Sequence, residues 1–429
     1  MDGRAWSDGL WLTAILAVAF LMRLGCAIGV QRHLDHGSRE VCLIPGDADG
    51  YWQLSHKILR GENFELYTPP RRVMRMPGFS FLLALPQFVF GENLLAVRIW
   101  LAIISTGGCW FVYLLGKELC DVKVGRWAAA VIAISPVHTI FSVLLLSEAA
   151  FAVALTASLF FYARLHRSLA EPEGSFPFLW AILTGLMLAV ATYLRPTWLL
   201  IGPLAAVGLL VGRATPFAKP QAHATPFRFR FAAAALLMLG MFGALLPWAM
   251  RNQSVSGHFT FTTFWVGPSL YDGLRADANG DSDMTFFDQD RLLDRMSEYD
   301  MDREYRRRAW EFARENPRRT VQLMFIKLSR FWMFWPNAAQ FRALWMQAIV
   351  AVSFSIILIP ALVGTWKLRR RWDILAITWG PVLYFAAVHT LFVGSIRYRL
   401  PAEYPLAVLA GVGWSTIYRT LFGDREVVG

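Results

Sequence analysis

Asp47 and Asp49 stand two residues apart in Pro45-Gly46-Asp47-Ala48-Asp49-Gly50-Tyr51-Trp52, ahead of the helical stretch Gln53 to Arg60. Carboxylates at this spacing beside an aromatic pair suit proton transfer or cation binding. The same spacing also suits a turn whose aspartate accepts backbone amides and caps the next helix. Glu148 follows Ser147 in the apolar stretch Leu144 to Ala150. A carboxylate is costly on a lipid-facing surface, so Glu148 should point into a polar cavity, or else help open the next helix. Arg75, in Arg75-Met76-Pro77-Gly78, precedes a short apolar run. There a guanidinium can grip a phosphate through two hydrogen bonds or simply snorkel. Arg195-Pro196 interrupts two apolar runs, and Arg397, Arg399 and Glu403 cluster in SIRYRLPAEYP before the last run. Together these residues suit a phosphate leaving group. Arginines stabilise the charge on the departing phosphate, and a carboxylate takes the proton of the attacking nucleophile.

The elements that must position them lie in a bilayer. Of 429 residues, 56% are hydrophobic and 17% charged, against about 25% charged in soluble domains. The expected fold is an all-α polytopic membrane protein with about ten transmembrane helices. Apolar runs near 9–30, 94–116, 126–142, 148–165, 177–194, 197–212, 230–248, 344–366, 373–393 and 401–418 are the candidates. A spanning helix needs about 20 mostly apolar residues. Pro77 to Phe90 is short for that and fits a re-entrant or interfacial helix, as does the amphipathic Thr320 to Trp335. The first run continues past Arg23 to Val30 without a small-residue cleavage site, which predicts an uncleaved helix.

The net charge of +11 first suggests a nucleic-acid partner. Yet Lys117, Lys123 and Arg126 flank one short loop and Arg164, His166 and Arg167 another. Arg213, Lys219, Arg228 and Arg230 mark a third, and Lys367, Arg369, Arg370 and Arg371 a fourth. These loops alternate correctly if the N-terminus is cytoplasmic, so the basic excess is partly topological and no nucleic acid is expected. Two long loops, about 31–93 and 249–343, then share the extracytoplasmic face of an inner cell membrane. The chain divides into a membrane module (1–248, with the catalytic first outer loop 31–93), an extracytoplasmic lobe (249–343) and C-terminal transmembrane helices (344–429). In the lobe, Asp302 to Glu315 reads as a helix closed by Asn316-Pro317.

The four cysteines have no Cys-x-x-Cys spacing and support neither a zinc site nor a disulfide framework. Asp277 to Asp283 has the look of a calcium loop, but an EF-hand needs Gly and Glu where Ser282 and Asp288 stand. A polar turn is expected there. No cofactor is required by any motif, and a divalent cation stays open.

The order of these features resembles the integral-membrane GT-C glycosyltransferases, in particular the bacterial branch related to protein O-mannosyltransferases (glycosyltransferase family 39) and aminoarabinose lipid A transferases. The resemblance rests on Asp47-x-x-x-Tyr51, Arg75-x-Pro77-Gly78, Ser135-Pro136 before Ser147-Glu148, and Arg195-Pro196. Further matches are Pro247-Trp248-x-x-Arg251-Asn252, Gly267, Leu270-Tyr271-x-Gly273 and Arg397-Tyr398-Arg399-x-Pro401. It implies an inverting transfer of sugar from a polyprenyl-phosphate donor to a hydroxyl or amine of a lipid, glycan or protein. Asp47 then takes the position of the catalytic base and Glu148 that of a second acid of the same cavity. Arg75 falls where donor phosphate is held, with Arg397 and Arg399 as further candidates and Tyr51 and Arg195 as substrate contacts. The family carries Asp-Glu as neighbours, whereas Asp47 is followed by Ala48 and then Asp49. Both aspartates therefore stay open as the base. A transporter or flippase of a lipid-linked glycan is the rival reading, and would place its ionisable groups at mid-bilayer on broken helices. A sugar-polymerising ligase would confine its essential groups to the later loop.

Overall fold

The computed structural model describes residues 3–37, 42–43, 46–170, 176–211, 225–336 and 343–423. Pro45, Arg213, Lys219 and most of the linker before Pro226 lie outside them. Helices follow one another from α1 (Gly3–Gly37), α2 (Asp47–Leu59) and α3 (Gly78–Phe90) to α4 (Leu94–Leu119), α5 (Val122–Ile134) and α6 (Pro136–Phe141). Then come α7 (Glu148–Ala170), α8 (Pro177–Leu194), α9 (Ile201–Val211) and α10 (Phe227–Ser256). The lobe holds α11 (Val266–Gly273), α12 (Thr285–Asp290), α13 (Glu298–Glu315) and α14 (Pro317–Trp332), and the chain ends in α15 (Leu344–Lys367), α16 (Trp372–Leu391) and α17 (Leu400–Phe422). No strand occurs among the described residues.

Local chemistry sets many of these ends. Asn93, Asp121 and Ser297 accept backbone amides at the starts of α4, α5 and α13, satisfying donors that a helix start leaves unpaired. Proline opens α6, α8, α14 and α17, where its missing N–H costs nothing. Gly257, at φ 76°, closes α10 in the left-handed region. Helix α10 continues through Pro247 to that glycine, so it outruns the apolar stretch 230–248 and enters the lobe.

Among the described residues, seven helices are long and apolar enough to cross a membrane: 8–37 within α1, α4, α7, α8, α10, α15 and α16. The other three expected crossings differ for separate reasons. The run 126–142 breaks at Ser135-Pro136 into α5 and α6. The run 197–212 is a three-residue 3-10 turn followed by the 11-residue α9. The run 401–418 forms the 23-residue α17, whose first turn carries Glu403.

Of these, α5 and α17 each have one end among the basic loops. Asp8 pairs with Arg126 at the start of α5, and Lys123 lies over the Tyr418 ring near the end of α17. Glu118 pairs with Arg164 and Arg167. These basic loops thus gather at one end, as the charge alternation requires. Two arginines in the apolar region repair the broken backbone, whose free carbonyls lipid could not satisfy. Arg23, fully buried, donates to the carbonyls of Ile132 at 3.4 Å and Ala133 at 3.3 Å. Arg98 donates to the Val143 carbonyl at 2.8 Å.

At the centre lies α17, buried without interruption from Leu400 to Gly411 and packed against α4, α5, α7, α15 and α16. Its approach to α15 is close because Gly364 and Gly413 leave the space that a side chain would need against the Leu409 and Pro360 carbonyls. The lobe has a small core of its own, formed by Phe286, Phe287, Leu292, Met301 and Tyr305. Its acidic turn is held by guanidinium groups: Arg275 pairs with Asp277 and Asp283, and Arg330 with Asp281.

Candidate active site

At the other end of the bundle, two carboxylates and three arginines form one chain of contacts. Asp47, in the first turn of α2, receives Arg75 on one oxygen at 3.0 Å and Arg397 on the other at 3.0 Å. Arg397 lies in the 3-10 turn 396–398 that leads into α17. Its guanidinium also contacts Glu148, the first residue of α7. Glu148 receives Arg195, the residue ending α8, at 2.7 Å on the same oxygen. Arg195 reaches Ser147 at 3.3 Å and stands over the Tyr398 ring at 5.5 Å.

Space and packing fix each member. A side chain at position 50 would come within 3.0 Å of the Arg75 guanidinium, so Gly50 makes the room that Arg75 occupies. The Tyr51 ring lies under that guanidinium at 4.7 Å and meets Phe79 edge-on at 5.0 Å. Glu148 is only 1% exposed, whereas the Asp47 side chain is 45% exposed. Asp47 is therefore the carboxylate that an incoming molecule meets. Three guanidinium groups against two carboxylates leave one positive charge in excess, the balance wanted by a site that binds an anion. The second oxygen of Glu148 is buried without a hydrogen-bond partner.

Burial pushes the Asp47 carboxyl upward, but the guanidinium groups of Arg75 and Arg397 outweigh it and hold the carboxyl well below the usual carboxylate range. Burial likewise disfavours charge on Arg397, and Glu148 and Asp47 more than restore it. In this arrangement Asp47 is a weak base. It gains basicity only if an anion draws the arginines away.

The two aspartates separate clearly. Asp49 accepts the Gly46 amide at 2.8 Å from within the first turn of α2, which starts at Asp47 and not after Asp49 as a cap there would require. The paired arginines of the last motif separate too. Arg399 is 1% exposed and binds Glu403 at 2.7 Å, with its other nitrogen on the Phe331 carbonyl at 2.6 Å and Phe354 3.4 Å away. It lies outside the Asp47 cluster. Glu403 also faces His138 at 3.4 Å, and His138 meets the Ser135 hydroxyl at 2.8 Å. Of this second buried network the sequence marked Arg399, Glu403 and Ser135-Pro136 but not His138. Tyr398 was visible only as the middle of Arg-Tyr-Arg.

Among the described residues no group of three or more His, Cys, Asp or Glu is placed to hold a metal ion.

Residues 74–248 match the profile of the dolichyl-phosphate-mannose-protein mannosyltransferase family. No curated protein sequence matches the chain. Among solved structures, the archaeal oligosaccharyltransferase AglB from Archaeoglobus fulgidus, in complex with an inhibitory peptide and a dolichol-phosphate, superposes with a TM-score of 0.59 at 16% identity. That match covers 97% of this chain and 51% of the other. The apo form of the Archaeoglobus fulgidus oligosaccharyltransferase gives 0.59 at 15% identity, covering 97% and 52%. ArnT from Cupriavidus metallidurans bound to undecaprenyl phosphate gives 0.40 at 12% identity, covering 98% and 79%. The chain thus spans about half the length of the archaeal structures whose fold it shares.

Proposed function

From the premise that the chain has the GT-C membrane fold, we propose that it is a glycosyltransferase. It moves a sugar from a polyprenyl-phosphate donor to a hydroxyl or amine of a lipid, glycan or protein acceptor, with inversion. The observation that carries this reading is Arg397 held between Asp47 and Glu148, with Arg75 and Arg195 on either side. The family match, and a fold shared with a protein solved with dolichol-phosphate, support a lipid-phosphate donor.

The donor phosphate lies against Arg75 and Arg397 and draws them from Asp47. Asp47, freed of its counter-charges, takes the proton of the acceptor hydroxyl or amine as that atom bonds to the anomeric carbon. The bond from the anomeric carbon to the phosphate oxygen breaks, and its electron pair leaves with the polyprenyl phosphate, where the arginines stabilise it. A single displacement inverts the anomeric centre. Glu148 holds Arg397 and Arg195 in place. Asp49 and Arg399 have no part in the reaction, because their partners are the Gly46 amide and Glu403. Asp47 and Glu148 are already paired with arginines, so no step of this reading is routed through a divalent cation, and chelator should leave transfer unchanged.

The site faces the extracytoplasmic side of the inner membrane, opposite the gathered basic loops. The direct test gives purified protein in vesicles a labelled polyprenyl-phosphate sugar and an acceptor extract. Label should move to acceptor and release polyprenyl phosphate, and Asp47→Asn should stop it. Movement of intact donor across the bilayer without transfer would favour the flippase.

A further inference from the structure

The lobe grips the loop that carries Arg75, and it does so by the loop's backbone. The Val73 amide donates to the Glu298 carboxylate at 2.9 Å, with the Arg72 amide alongside. The Val73 carbonyl accepts the Phe264 amide at 2.9 Å. Arg251, near the end of α10, donates to the Arg72 carbonyl at 2.7 Å and the Phe64 carbonyl at 3.0 Å. Arg71 is held between aromatic rings from both sides, 4.3 Å from Tyr67 of its own loop and 4.4 Å from Phe287 of the lobe. The segment has no helix or sheet of its own apart from one bridge between Leu66 and Arg71, so these contacts fix its path. Two residues beyond Val73, Arg75 enters the space left by Gly50.

We infer that Glu298 is a positioning residue for the donor phosphate: by fixing the Val73 amide, the lobe sets where the Arg75 guanidinium stands. The inference rests on the reading of Arg75 as a phosphate ligand. Glu298 opens α13 directly after its Ser297 cap. Its charge suits both the helix start and Arg251 and Arg71 nearby. Burial pushes its carboxyl upward, and the two loop amides and the two arginines partly offset that. Its second oxygen is buried without a partner, so the loop amides are the backbone groups its carboxylate serves. Because the lobe that fixes Arg75 is also the extramembrane surface beside the site, an acceptor that moved the lobe would alter the grip on the donor.

The test uses the full-length protein in detergent micelles with undecaprenyl phosphate as probe. Two readouts are needed: amide hydrogen exchange of the segment 72–76, and probe affinity. Glu298→Ala should exchange at least tenfold faster there and bind the probe about tenfold more weakly. Glu298→Gln keeps a carbonyl oxygen for the amide and should restore both to within about threefold. Arg251→Gln, which frees two carbonyls of the same loop, should move both readouts in the direction of Glu298→Ala and keeps the test open if the alanine variant does not fold. Unchanged exchange in Glu298→Ala, or faster exchange with unchanged affinity, overturns the inference. Unchanged probe affinity in Arg75→Gln overturns instead the reading of Arg75 on which it rests.

Discussion

Arg397 and Arg399 stand two residues apart in one short motif, and the fold gives them opposite surroundings. Arg397 joins Asp47 and Glu148, and one of those carboxylates is nearly half exposed. Arg399 is sealed at 1% exposure between Glu403, two backbone carbonyls and the Phe354 ring. Both satisfy their charge, so ion pairing alone does not mark a functional arginine. The difference lies in access. An anion can take Arg397 from Asp47, whereas replacing Arg399's partners would require unpacking α17 from α14 and α15. A site that exchanges partners during a reaction must be built from pairs that water or substrate can reach. A fold is held by pairs that cannot exchange.

The largest expected effect breaks the accessible side of this comparison at its base. Asp47→Asn should lower transfer by about a thousandfold or more with the thermal unfolding midpoint unchanged. Arg397→Gln should lower kcat/KM by roughly a hundred- to a thousandfold with much of the folded yield retained. Arg399→Gln should do the reverse. Leaving Glu403 buried without its partner costs about 3–5 kcal/mol, so folded yield should fall while the molecules that fold keep their turnover. The double variant Arg399→Met with Glu403→Leu should recover much of that stability, since a buried pair replaced by apolar groups is often neutral or better. If Arg399→Gln instead gave stable, inactive protein, the separation of the two arginines would fail.

The pH profile sharpens the same comparison. The arginines hold Asp47 below its ordinary value, so in the free protein it stays ionised even at pH values below the ordinary aspartate value of about 3.9. The acid limb of kcat/KM assigned to Asp47 should lie there, and Arg75→Gln should move it upward by removing a charge that favours the carboxylate. The sign for stability follows from linkage. A lowered carboxyl contributes stability above its unfolded value of about 3.9, and that contribution is lost as pH falls through the folded value. The smallest effect belongs to Asp49→Ala, which should cost about 1 kcal/mol as a lost cap and leave transfer within about threefold. A thousandfold loss there would return Asp49 to the reaction.

Much of this protein was legible along the chain. Apolar runs marked most of the membrane helices, Asn316-Pro317 marked the end of α13, and the sorting of Lys and Arg placed the short loops at one end. Asp47, Glu148, Arg75, Arg195 and Arg397 all stood out as charges without a topological reason. Two kinds of detail did not. Arg23 read only as a charge inside the first apolar run, because the carbonyls it satisfies belong to residues about 110 positions away. Glu298 read as one acid among many in the lobe, because its partner, the Val73 amide, lies 225 residues distant and belongs to no side chain.

Sequence by itself determined which residues carry charge, which stretches can enter lipid and where helices begin, since those depend on residue type and near neighbours. Only the tertiary structure decided that Arg397 meets Asp47 across 350 residues while Arg399 does not. Successive residues in a tight turn point in different directions, and which direction faces the cleft is set by how α17 sits among α4, α7 and α15. That packing is a property of the whole bundle, and no local spacing encodes it.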